Sequence, residues 1–314
     1  MQRYLLQRLA LVPVVAALVA TAVFVLVRFL PGDVMTVLAS EAPQYGDSSS
    51  LRSELGLDKP LLEQYGDFMG GIVQGDFGNS LFFKRPVRED IVQAVPVTVE
   101  LTILAVLLSV VIAVPLGVLT ATRRGGPIDV VMRILSVLFH AVPTFWLGTL
   151  ALTFLAIIFA WTPPLQYTPI WKDPIENLQQ FAIPTVVLAI GTLGLKMRLV
   201  RSQMLEVLNQ DYIRTAHAKG LSGSSVMRTH ALRNAMVPVV AIIGNQAGAL
   251  LGGAAILETM FNLPGLGRVL IAAVDHRDYP EIQSTALVIA LFLVAVNLIT
   301  DVVYAWLDPR IRFA

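Results

Sequence analysis

Apolar residues gather in six long runs separated by polar segments. Leu9–Val27, Leu101–Thr122, Ile134–Ala160, Asn177–Leu195, Ala235–Leu257 and Ile282–Thr300 contain no Asp, Glu, Lys or Arg. The shortest has 19 residues, which as an α-helix extends about 28 Å, close to the hydrocarbon thickness of a bilayer. Backbone amides in hydrocarbon have no water to bond, so each run is expected to be a helix. The alternation that marks transmembrane β-strands is missing. The pattern predicts an all-α polytopic membrane protein with six transmembrane helices, over roughly 9–30, 97–122, 133–160, 178–202, 235–257 and 282–306. The chain, 1–314, reads as a single transmembrane domain, without internal repeats or a linker long enough to separate two domains.

Composition agrees with this reading. Hydrophobic residues make up 55% and charged residues 14% of the chain, whereas soluble domains carry about 25% charge. The absence of cysteine excludes disulfides and thiolate metal sites, and the four histidines are too scattered to pair on a metal. Arg3, Arg8 and Ala20-Thr21-Ala22 loosely resemble a signal peptide, but the apolar run continues through Phe24 and Leu26, so a retained anchor is expected.

Six spans place both termini on one side. With the N-terminus inside, 14 of the 23 Lys and Arg residues fall in inner segments, which predicts N-in, C-in. Residues 31–95 then form an outer (extracytoplasmic) segment, 203–234 an inner connection, and 258–283 a second outer loop. Pro13, Pro115, Pro143, Pro184 and Pro238 lie within the runs, and Gly248 and Gly252 form a small-xxx-small pair. Static packing of a bundle explains any one of these; together they suit helices that also move.

Several chemistries are missing. Lys196 and Arg198 are expected at the inner end of span four and Asp301 near that of span six, which leaves no ionisable group near a bilayer centre to mark an ion path. There is no phosphate-binding loop followed by Lys, no His-Glu-x-x-His and no Gly-x-Ser-x-Gly. The chain therefore reads as a non-catalytic component without an energy source of its own. The rivals are a self-contained channel or secondary carrier, and a membrane enzyme.

The stretch from Asp211 to Leu221, DYIRTAHAKGL, carries the clearest local signal. As a short helix it places Tyr212, Ala216 and Gly220 on one face, where two small residues would let another protein approach closely. Gly220 can take positive φ and end the helix. Arg214 and Lys219 would sit at the rim, ready for acidic groups. The alternative is an amphipathic turn facing lipid headgroups, and the residues by themselves leave both open. In the outer loop, Phe261-Asn262-Leu263-Pro264-Gly265-Leu266-Gly267 reads either as a segment projecting toward a delivered ligand or as a simple turn into a short helix.

This stretch, continued by His230-Ala231-Leu232-Arg233-Asn234-Ala235 and Pro238, resembles the coupling loop of permease subunits of binding-protein-dependent ABC importers, and more narrowly the first permease subunit of the dipeptide/oligopeptide/nickel group. Arg214-Thr215-Ala216 stands where the general pattern has Glu-Ala-Ala, with Gly220 in register, and His217 replaces a common Arg. Leu30-Pro31-Gly32-Asp33, Leu55-Gly56-Leu57-Asp58-Lys59-Pro60, Gly75-Asp76-Phe77-Gly78-Asn79-Ser80, Pro96-Val97-Thr98-Val99-Glu100-Leu101 and Asp308-Pro309-Arg310-Ile311-Arg312 add to the likeness along nearly the whole chain.

The resemblance implies a type I importer (MetI-like) permease fold in a bacterial inner membrane, surrounded by lipid. It implies four kinds of partner: a second homologous permease forming a heterodimer, two ABC ATPase subunits, an extracytoplasmic solute-binding protein and a peptide substrate. Nickel chelates, glutathione and oligosaccharides are alternative cargoes, and nucleic acid has no part. No cofactor is expected on this chain, since ATP and Mg would be used by the partner subunits. Tyr212, Arg214, Thr215, Ala216, His217, Lys219 and Gly220 would couple to an ATPase. Phe261, Asn262, Pro264, Gly265 and Gly267 would form the binding-protein or release loop.

Overall fold

A computed structural model describes residues 2–29 and 58–307. The Leu30–Asp33, Leu55–Leu57 and Asp308–Arg312 pieces of the resemblance lie outside the described residues. The chain is α1 (Gln2–Arg28), α2 (Leu61–Gln74), α3 (Val87–Thr122), α4 (Pro127–Ala141), α5 (Thr144–Phe159), α6 (Pro174–Leu208), α7 (Asp211–Ala218), α8 (Arg233–Met260), α9 (Leu266–Asp275) and α10 (Tyr279–Leu307). A helical turn, Gly223–Ser225, and a π-helical segment, Val226–Leu232, lead into α8.

Among the described residues, four helices are long and apolar enough to cross a membrane: Ala10–Arg28, Val87–Thr122, Pro174–Leu208 and Tyr279–Val303. The run 134–160 departs from the expected single helix. It is broken into α4 and α5, which meet at 95°. Pro143 cannot donate a helical hydrogen bond, and its ring pushes the preceding residue out of the helical region. Val142 accordingly takes φ −80°, ψ 124°, and α5 restarts on the Pro143 carbonyl, which accepts from Trp146 N. Counted together, the bent pair makes a fifth span. The run 235–257 lies within α8, a helix of 28 residues.

The Cα trace falls into two compact units, Val99–Leu263 with the chain from Val296 onward, and Gln2–Thr98 with Pro264–Ala295. In the first, α6 is central and packs on α4, α5 and α8. Its closest approach to α4 is at Gly194, where a Cβ would stand 2.1 Å from the Ser136 carbonyl oxygen, so only glycine fits. Gly252, expected to bring helices together, faces open space.

In the second unit α1 and α2 are joined by aromatic contacts. Phe24 meets the Tyr65 ring edge-on at 5.2 Å and stacks with Phe68 at 5.8 Å, while Arg28 donates to Gln64 Oε1 at 2.9 Å. The start of α3 buries Val87, Ile91 and Ala94 with Leu266 of α9. Asp278 ties the loop before α3 to the start of α10, accepting from Ser80 Oγ and Phe82 N, and the Phe82 ring stacks on His276 at 3.7 Å.

Candidate functional site

The connection 203–234 folds as a small platform. α7 places two apolar side chains, Ile213 and Ala216, three residues apart on one face, as helical spacing requires. Both are buried in one cluster with Val200 and Met204 of α6, Val226 and Ala231 of the π-helical segment, and Ala235 and Val239 of α8. The other residues of α7 are exposed. The helix is thus fixed along its inner side and open along its outer side.

Its ends are built by local chemistry. Gly220 takes φ 79°, Gly220 N donates to His217 O at 2.9 Å, and Leu221 N donates to Ala216 O at 3.3 Å. This pair of bonds with a left-handed glycine is the Schellman termination, so the expected helix stop at Gly220 is found. At the other end Tyr212 Oη accepts from Asn234 Nδ2 at 3.2 Å, and the same amide donates to His230 O at 2.7 Å. Tyr212, His230 and Asn234, separate pieces of the sequence motif, meet there. Thr215 Oγ1 caps back onto Asp211 O at 3.0 Å. The Arg214–Asp211 pair, 3.6 Å apart and fully solvated, contributes little.

Two expectations need correction. Ala216 does not share an outward face with Tyr212 and Gly220. It points into the chain's own core, because Ile213 and Ala216 are the only apolar side chains α7 has to bury besides the exposed Tyr212 and Ala218, and Gly220 lies past the helix end. The outward surface is formed instead by Tyr212, Arg214, Thr215, His217 and Lys219. The 261–267 segment also does not project. Phe261, Leu263 and Leu266 are 1–2% exposed, and Gly265 and Gly267 are buried too. Asn262, at φ 55°, turns its amide onto the Pro164 and Leu165 carbonyls, both at 3.1 Å, and Pro264 is half-buried. The segment is a folded turn into α9.

Sequence reasoning missed two polar clusters. Lys196 lies within α6, which runs on for twelve residues past it to Leu208. Its side chain is fully buried, donating to Ser109 Oγ of α3 and to Thr192 Oγ1 at 2.9 Å. Asp129, in the first turn of α4, is 1% exposed and accepts from Arg201 Nε and Nη2 at 2.7 and 3.0 Å and from Gly125 N at 3.0 Å. This fork fixes the tight turn before α4 onto α6. A lone carboxylate amid Arg123, Arg124 and Arg133 was the available signal. Among the described residues, no group of three or more His, Cys, Asp or Glu side chains is placed to hold a metal.

Two family models match the chain. Residues 113–313 match the binding-protein-dependent transport system inner membrane component, and residues 1–102 match the N-terminal part of such membrane components. The dipeptide transport system permease protein DppB of Escherichia coli K12 is 37% identical over 338 aligned residues, covering 99% of each chain. Two solved structures share the fold. A chain of the MetNI methionine ABC transporter, in inward-facing conformations, aligns with a TM-score of 0.54 at 17% identity, over 69% of this chain and 96% of that one. A chain of an amino acid ABC transporter crystallised with histidines gives 0.52 at 18% identity, over 71% and 94%.

Proposed function

Because the chain belongs to the family of binding-protein-dependent transport system inner membrane components, we propose that it is a permease subunit importing di- or oligopeptides, and that α7 receives the motion of a partner ATPase. The multi-pass helical fold of an ABC importer permease and its residence in the inner membrane follow from the family. The peptide cargo is supported by the 37% identity to a dipeptide permease along the whole chain. The partners we propose are a sister permease completing the pathway, two ATPase subunits holding ATP and Mg, and an external binding protein that selects the cargo.

One observation carries the coupling role: α7 is buried on Ile213 and Ala216 against both α6 and α8, with its other side left in solvent. A force applied to Tyr212, Arg214, His217 or Lys219 therefore passes directly into two long helices. Closure of an ATPase pair beneath α7 would displace the inner ends of α6 and α8 together, as rigid elements sharing one core. The π-helical segment between them, whose i→i+5 bonding is weaker than that of an α-helix, is a natural place for the register to change.

The test is transport in proteoliposomes. The chain reconstituted with its co-encoded permease, ATPases and binding protein should take up labelled dipeptides only with ATP, and Arg214→Glu with Lys219→Glu should abolish uptake while membrane insertion is unchanged. Uptake by this chain alone without ATP would refute the reading in favour of a channel or carrier.

A further inference from the structure

An open crevice of about 850 Å³ lies between α4 and α6, beside their contact at Gly194 and Ser136. One wall is an aliphatic face of α4, on which Ile134, Val137 and Leu138 remain 63%, 55% and 52% exposed. That wall offers no backbone partner, being helix throughout, and its hydroxyl, Ser136 Oγ, already donates to Arg133 O at 2.7 Å. The polar end is different in kind. Arg133, Arg198 and Arg201 all line the crevice. The carboxylate facing them, Asp129, is held by the Arg201 fork, with Arg133 at 3.6 Å. Asp129 is thus engaged by two guanidiniums, and Arg198 adds a third positive charge to the crevice lining, with no carboxylate of its own among the described residues. Arg198 Nε is buried and has no hydrogen-bond partner, an arrangement that costs stability unless an acceptor completes it.

We propose that this crevice binds an anionic phospholipid, with an acyl chain along the α4 face and the phosphate between Arg133 and Arg198. The chemistry fits both ends at once. The wall suits a hydrocarbon chain and gives a peptide backbone nothing to bond. The excess positive charge suits a phosphate that accepts several hydrogen bonds. The expected orientation puts these arginines on the inner side, where anionic lipid headgroups are drawn to basic clusters at helix ends. The bound lipid would hold α4 against α6 across the crevice, with its phosphate facing the guanidiniums of Arg133 and Arg198 that line it. This site does not depend on the import reading: it would exist in a carrier or channel of the same fold.

The experiment is native mass spectrometry and lipid titration on the full chain in detergent, alone and assembled with its co-encoded subunits. The probes are phosphatidylglycerol and phosphatidylcholine with identical acyl chains. The unsubstituted protein should retain phosphatidylglycerol and discriminate against phosphatidylcholine. Arg133→Gln with Arg198→Gln should weaken phosphatidylglycerol binding about twenty-five-fold, roughly fivefold for each guanidinium removed, with Arg201 left in place to keep the Asp129 fork. Ile134→Trp provides a second variant that blocks the acyl path from an exposed position without altering charge, and it should also lower phosphatidylglycerol binding. Equal binding of the two lipids would overturn the proposal. So would undiminished binding in the folded variants, exclusion of lipid in the assembled transporter, or displacement of the lipid by soluble dipeptide.

Discussion

α7 and the 261–267 turn invite comparison, because each combines an aromatic residue with glycines in a connection between long helices, yet they fold in opposite senses. α7 keeps two apolar side chains inward and leaves its other side chains, mostly polar, in solvent. The 261–267 turn has a single polar side chain, Asn262, and that one is engaged by the Pro164 and Leu165 carbonyls. A segment with no polar face cannot stay in water without exposing Phe261, Leu263 and Leu266, so it folds inward. Glycine serves different ends in the two places. In α7 it closes the helix from the solvent side, at positive φ, whereas Gly265 and Gly267 are buried within a packed turn. Accessibility in such connections is decided by the polar positions, and an aromatic among glycines says little about it.

Four substitutions would sharpen or break this contrast, in decreasing order of expected effect on stability. Phe261→Ala, which removes a side chain only 2% exposed, should destabilise by about 3–5 kcal/mol. A thermal melt of the solubilised protein reads this, and a near-unchanged melt would mean that the turn is free to project after all. Ala216→Leu forces extra volume between α7, α6 and α8 and should cost about 1–3 kcal/mol, lowering the melt and abolishing uptake together. Gly220→Val places a β-branched residue at φ 79°, with a strain of about 1–2 kcal/mol. It should loosen the end of α7, eliminating transport while insertion persists. Arg214→Glu, at a side chain 77% exposed, should change stability by less than about 0.5 kcal/mol yet strongly impair uptake. A large shift in its melt would place Arg214 in the folded framework and remove the contrast between the two faces of α7.

Much of this was legible in the chain itself. Among the described residues, five of the six charge-free runs lie within long helices, as backbone amides in hydrocarbon require, and Gly220 announces its own helix stop. Pro143 was visible as a helix breaker, but the 95° turn between α4 and α5 depends on how the two pieces pack on α6, which local sequence does not encode. The burial of Lys196 was not legible for a related reason. Its partner Ser109 lies on another helix, 87 positions away in the chain, so local sequence does not reveal the contact. The Asp129–Arg201 fork joins residues 72 positions apart and appears only once the helices are assembled. The inward direction of Ala216 could have been read from Ile213, its apolar neighbour three residues earlier, which gives α7 an inner face.

Coupling depends on where α7 points, and the chain's lack of cysteine makes that directly measurable. His217→Cys puts a unique thiol in this subunit on the exposed side of α7, and Ile213→Cys puts one on the buried side. In the assembled transporter, a short bifunctional reagent should join position 217 to an ATPase subunit, with a yield that changes with nucleotide, and should leave position 213 unreacted. A thiol at 217 that stays fully open to water-soluble maleimide in every nucleotide state, and never joins an ATPase, would contradict the assignment of α7 as the point where force enters.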